Sequence, residues 1–170
     1  MKMQSYEIYK ETIPFVLVKW ILAIEIATTI LFLCLFIYQL TSSPVGDRPA
    51  PDLFYFGMFL LFAGSSALIA NFRKLNISIT SQSIIVAYGR IKYSIPWDRI
   101  EDCSVGKDSG TRYGGWGIRL TKAEGATLLV YNVIGSPVVI LELKRGRFGK
   151  FIFSSRHPEE VLNIIKQHIG

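Results

Sequence analysis

The chain has 170 residues, 50% of them hydrophobic, and a mean hydropathy of +0.34; this excludes an ordinary soluble domain, and the apolar excess is concentrated before residue 73. From Arg73 onward 15 Lys and Arg stand against 8 Asp and Glu, a charge of +7, whereas the first 72 residues carry −1. A basic soluble part of this kind suits an anionic surface, either lipid headgroups or nucleic acid.

The stretch from Met1 to Ile13 mixes Lys2, Glu7, Lys10 and Glu11 with apolar residues and reads as a short segment at headgroup level. It is polar for too long to form a cleavable signal peptide with the run that follows, which also lacks an A-x-A-like end. From about residue 14 to 40 runs the first apolar stretch, long enough to span a bilayer and bracketed by Trp20 and Tyr38 at interface depths. Lys19 lies in its first turns and can snorkel. Glu25 sits deeper, and an intramembrane carboxylate is a candidate polar site because its charge is costly to bury without a partner. The plain readings are a wet or protonated carboxyl, or a pair with Arg73 at the same end of the second span.

Residues 41–52 (TSSPVGDRPAPD) carry three prolines and a glycine and read as a tight hairpin connection. The second apolar stretch, residues 53–72, contains no charged side chain and reaches about 30 Å as a helix. Lys2, Lys10 and Lys19 flank the first span and Arg73 and Lys74 follow the second, while the connection offers only Arg48; the positive-inside rule then predicts both termini in the cytoplasm of a multi-pass protein of the cell membrane. Cys34 and Cys103, assigned to membrane depth and to the soluble part, are expected to be free thiols.

After Lys74 the hydrophobic period changes to two. Residues 75–80, 83–88, 91–95, 100–105, 116–121, 127–133, 138–143 and 148–153 read as strands separated by Gly, Ser and Pro turns, giving seven or eight strands in a continuing meander. The last element begins at Pro158, favoured at the first helical position, with Glu159 and Glu160 where the helix dipole favours acids. Val161, Leu162, Ile165 and Ile169 share one face, so this helix is expected to cap a sheet. The economical architecture is two antiparallel sheets or a bent barrel closed at one end by a helix, with a domain boundary between residues 1–73 and 74–170.

The order and spacing of LNISIT, SIIVAYG, IKYSIPWDRIEDCSV, GGWGIRL, LELKRGRFGKFIF and HPEEVLNII resemble the bacterial pleckstrin-homology-like (PH-like) domain family, which is often found behind a pair of transmembrane helices. The resemblance runs from about Lys74 to Ile169 and implies a mainly-β PH-like barrel with a C-terminal helix. It brings no active site. Phosphoinositide-binding PH domains carry a basic cluster around the first hairpin, whereas the corresponding turn here, Thr80-Ser81-Gln82-Ser83, is uncharged. His157 stands where the family commonly places an acidic N-cap, which weakens the cap.

Gly114, Gly115 and Gly117 lack the G-x-G-x-x-G spacing and lead into a strand, so they do not form a nucleotide-binding loop. His157 and His168 lack a second ligand at zinc-like spacing, and Asp98, Glu101 and Asp102 read as a solvated face instead of an acid–base pair. No catalytic, cofactor-binding or metal-binding residues are assigned, and the chain is not read as an enzyme. Basic and aromatic residues do not interleave along one strand face, which argues against nucleic acid.

The expected function is therefore a membrane-anchored, non-catalytic binding or scaffold module. Arg73, Lys74, Arg90 and Lys92 are expected to line the membrane edge, joined by Lys107 and Arg112 from the loop after the fourth strand, with the Lys144 to Arg147 hairpin distal. Its partners would be the bilayer, anionic headgroups, and a protein or a second copy. The alternative is a membrane-assembly or transport accessory acting through helix packing at Gly57, Gly64, Ser65, Ser66 and Ala67 and through Glu25. Glu25→Gln separates the two, since it spares a scaffold and damages an intramembrane site. Trp97 is expected to anchor the core.

Overall fold

The computed structural model describes residues 6–42, 46, 50–106, 115–123, 125–144 and 146–169. Lys2, Arg48, Lys107, Arg112, Gly114, Glu124 and Arg145 lie outside the described residues. The chain forms two compact units: residues up to Pro14 join Lys74–Gly170 in one, and Phe15–Arg73 form the other.

The helical unit consists of α1 (Val16–Thr41) and α2 (Asp52–Ala70), extended by a 3-10 turn at Asn71–Arg73. Both helices are long and apolar enough to cross a membrane. They run antiparallel and pack through aromatic rings, with Phe32 stacked on Phe62 at 5.6 Å and Phe36 tilted against Phe56 at 5.3 Å. Threonine hydroxyls of α1 bond back to the helix: Thr28 Oγ1 donates to the Ile24 carbonyl at 2.9 Å and Thr29 Oγ1 to that of Glu25 at 2.8 Å.

In the other unit, β1 (Glu7–Pro14), β2 (Lys74–Thr80), β3 (Ser83–Tyr88) and β4 (Ile91–Pro96) form an antiparallel sheet in that order. This corrects the reading of the first residues as a headgroup segment and moves the domain boundary. Glu7–Pro14 is an edge strand of the β unit, with Pro14 opposite Lys74 and Ile13 opposite Leu75. The helical hairpin is thus inserted between two neighbouring strands. Alternation then dictates the buried face: Ile13, Leu75, Ile77, Ile79, Ile84, Val86 and Ile95 point inward and are essentially inaccessible.

A 3-10 turn at Trp97–Arg99 leads into β5 (Ile100–Gly106), followed by β6 (Gly117–Ala123), β7 (Ala126–Asn132), β8 (Val138–Leu143) and β9 (Lys150–Ser154). The predicted meander stops at β4. The second sheet has the order β5-β8-β9-β7-β6, with β9 antiparallel to β8 and parallel to β7. It is mixed, so the expectation of two antiparallel sheets holds for the first alone. The cause is that β9 inserts between its two predecessors, and both its faces are apolar enough for a central position: Phe151, Ile152 and Phe153 are all buried.

The sheets meet through aromatic rings, Tyr88 on Tyr131 at 6.2 Å and Tyr93 on Phe151 at 5.2 Å. Helix α3 (Pro158–Ile169) packs against β5 with Val161 and Ile165 fully buried, as its amphipathic pattern predicts. Trp97 is only half-buried; it stacks on His168 at 4.5 Å and donates its indole N–H to the Thr80 carbonyl at 3.1 Å, pinning the chain where it passes between sheets. Cys34 and Cys103 are both free thiols.

Residues 74–170 alone lack β1 and would expose the β2 edge. We expect that fragment to aggregate or melt without cooperativity. A chain in which residues 6–14 are joined to 74–170 through an Asn-Gly turn should instead be soluble and melt in one transition, as followed by circular dichroism. Equal behaviour of the two would show that β1 is dispensable.

Candidate functional site

The register sets which basic residues meet. Lys74 faces Pro14, Leu75 faces Tyr88 and Tyr88 faces Ile91, so the β3–β4 turn at Gly89-Arg90 returns to the sheet end from which both strand ends lead into the helices. Gly89 supplies the positive φ of 53° that this tight turn needs. Lys74, Arg90 and Lys92 are therefore gathered and exposed at one pole of the β unit. Arg73 is their neighbour in the chain, and its Nε donates to the Ala70 carbonyl at 3.2 Å.

The Lys144 backbone N–H donates to the Arg99 carbonyl at 2.9 Å, and Trp97 reaches Thr80, so the basic hairpin of Lys144 and Arg147 stands at the opposite end of β2 from Lys74. Arg147 lies over the Phe148 ring, 5.7 Å from its centroid. Lys150 pairs with Glu142 across β8 and β9 at 3.2 Å.

Two buried polar links hold the pole together, and neither is visible in the local sequence pattern. The phenol of Tyr88 donates to the Asn132 carbonyl at 2.6 Å, tying the end of β3 to the end of β7. Burial pushes its pKa well above the usual phenol range, so it stays a neutral donor. The second link is Glu11, 8% exposed on the inner face of β1. Its carboxylate accepts from Ser155 Oγ at 2.7 Å, from the Arg156 N–H at 2.7 Å and from the Tyr9 hydroxyl at 3.1 Å. Desolvation, followed by the neighbouring Glu11 charge, raises the Tyr9 pKa, which keeps that hydroxyl a donor. Ser155 Oγ in turn accepts the His157 N–H at 3.1 Å, and the His157 carbonyl takes the Val161 N–H at 3.1 Å. The residues ahead of α3 are thus held by Ser155 and Glu11, which explains how the helix starts without an acid at position 157.

The same serines seat the β7–β8 turn. Ser154 Oγ takes the Val133 N–H at 3.0 Å, and the Ser155 N–H donates to the Pro137 carbonyl at 3.0 Å. Both serines are fully buried, and each hydroxyl is satisfied.

No family model, curated protein or solved structure matches the chain.

In the helical unit Glu25 accepts the Ser65 hydroxyl at 2.6 Å, joining α1 to α2. Arg73 turns to a backbone carbonyl, so the pair weighed from the sequence is replaced by a carboxylate–hydroxyl bond within the hairpin. Added Cβ atoms at Gly57 and Gly64 would meet nothing within 4 Å. Among the described residues no three His, Cys, Asp or Glu side chains gather as a metal site.

Glu11→Ala leaves Ser155 Oγ and the Arg156 N–H without their acceptor, which should destabilise the β unit by about 3 kcal/mol. Hydrogen exchange on the full-length protein in detergent should then quicken in β1 and in the first turn of α3, and Glu11→Gln should recover part of the protection. Unchanged exchange in both variants would mean that Glu11 does not hold these elements.

Proposed function

We propose that this chain is a two-span protein of the cell membrane whose β unit is a non-catalytic, PH-like binding or scaffold module at the cytoplasmic surface. It contacts anionic headgroups through Lys74, Arg90 and Lys92, together with Arg73, and it presents the rest of its surface to a protein partner. The observation that carries the reading is the pairing of Pro14 with Lys74, which brings both chain exits and this basic cluster to one end of the unit. Charge asymmetry about the spans supports the cytoplasmic orientation. The layout of two sheets closed by a helix is in keeping with the PH-like resemblance.

A second reading is supported by the open Gly57 and Gly64 positions, which suit close approach of another helix. In it the spans assemble with a second copy or with a transport partner, and Glu25 contributes. Since Glu25 already holds Ser65 within the hairpin, we favour the first reading.

Vesicle sedimentation tests it, using residues 6–14 joined to 74–170. Near-surface basic residues contribute about 1 kcal/mol each, so Arg90→Glu plus Lys92→Glu should weaken binding to anionic vesicles by at least ~30-fold. Lys144→Glu plus Arg147→Glu should have a smaller effect, and high salt should release the wild type. Equal losses from the two pairs would overturn the assignment of the membrane edge.

A further inference from the structure

Outside the helical unit the exposed large hydrophobic side chains among the described residues are Tyr6, Ile91, Leu120 and Ile134. Tyr6 lies beside Ser81, whose N–H donates to its carbonyl, and Leu120 sits along the edge strand β6. Ile91 and Ile134 are different, because Ile91 opens β4 directly after one turn, Ile134 lies in another, and both turns belong to one pole. Ile91 follows the Gly89-Arg90 turn and faces Tyr88. Ile134 lies two residues beyond Asn132, whose carbonyl accepts the Tyr88 phenol, and it precedes Gly135, whose φ of 80° turns the chain. The second turn is fixed from another side, since Ser155 joins the Pro137 carbonyl to Glu11 of β1.

Ile91 is 46% and Ile134 41% exposed, although Tyr88 opposite Ile91 and Val133 beside Ile134 are buried. Ile91 is flanked in the chain by Arg90 and Lys92, so its tip reads basic, apolar, basic; Lys74 stands at the same pole, and the exposed Arg156 donates its backbone N–H to Glu11 of β1. Among the described residues, the acids nearest Arg156 in the fold are Glu11, which is buried and takes three hydrogen bonds, and Glu159 and Glu160 in the first turn of α3. Apolar tips ringed by cations suit the boundary between headgroups and acyl chains, where the charges stay with the phosphates and the side chains enter the hydrocarbon. Lys74 is one residue from the last turn before it, so the chain itself keeps a bilayer close.

We propose that Ile91 and Ile134 are two lipid-inserting tips, held in register by the Tyr88–Asn132 bond, that seat the β unit on an anionic bilayer. This rests on the headgroup-contact reading above and adds insertion to it.

The test uses the full-length chain in nanodiscs of phosphatidylcholine with phosphatidylglycerol. Cys34→Ala removes the exposed thiol, and the buried Cys103 is kept. Ile91→Cys, Ile134→Cys or, as control, Leu120→Cys carries an environment-sensitive fluorophore; all three positions are exposed, so the label displaces no core. A nitroxide carried near the top of the acyl chain should quench positions 91 and 134 at least ~2-fold more than position 120, as expected for side chains at the headgroup–acyl boundary. Iodide in the water should quench them less than position 120. Quenching by a headgroup nitroxide alone, with iodide access retained, would overturn insertion and leave the headgroup contact standing. Labels that respond to neither lipid nitroxide would overturn both readings. Shielding from iodide without any lipid quenching would assign the tips to a protein contact and likewise overturn the proposal.

Discussion

An antiparallel strand pair holds the two chains that leave it about 5 Å apart. In this protein those chains are the entrance and exit of the helical hairpin. Pro14 faces Lys74, and the ladder continues one rung further, where the Phe15 N–H donates to the Arg73 carbonyl at 2.9 Å. The hairpin occupies the place of a loop between β1 and β2. Any disturbance of the β1–β2 pair therefore reaches both links at once, and the basic residues at that sheet end owe their common position to the same register.

The pair is an edge of its sheet, and an edge strand held by backbone bonds to one neighbour is the easiest to lose. Buried polar bonds offset this. Glu11 crosses from β1 to Ser155 and Arg156, and Tyr88 crosses from β3 to Asn132, so the first sheet is bound to the second near the exits. Such bonds are costly when half-made and specific when complete. Here the carboxylate has three donors, and each phenol involved is kept neutral by its surroundings. These links turn a set of strand ends into one pole that can present Ile91 and Ile134 together.

Much of this was legible in the amino-acid order. The two apolar stretches match α1 and α2 closely, and the strands after Lys74 begin and end near their expected positions because alternation and Gly turns are strong local signals. Pro158 and the acids after it marked α3 correctly. What failed was nonlocal. In Glu7–Pro14 the inward positions include Tyr9, Glu11 and Ile13, and a carboxylate on the inner face hides the alternation unless its partners, some 144 residues away, are known. The place of β9 between β7 and β8 was likewise invisible, although the uninterrupted apolar run Phe151-Ile152-Phe153 is a signal for a central strand that a meander leaves unused. Among the candidate residues, Lys74, Arg90 and Lys92 follow from turn positions alone, whereas Tyr88 and Asn132 needed the sheet-to-sheet contact.

The central claim is that the residues before the first span belong to the β unit and are paired with the residues after the second. Hydrogen exchange of the full-length protein in nanodiscs measures this directly, amide by amide. The account predicts that alternate amides of Glu7–Pro14 are protected to a degree comparable with Lys74–Thr80, their partners in the ladder. Exchange of Glu7–Pro14 at the rate of an unstructured tail, with Lys74–Thr80 still protected, would contradict it.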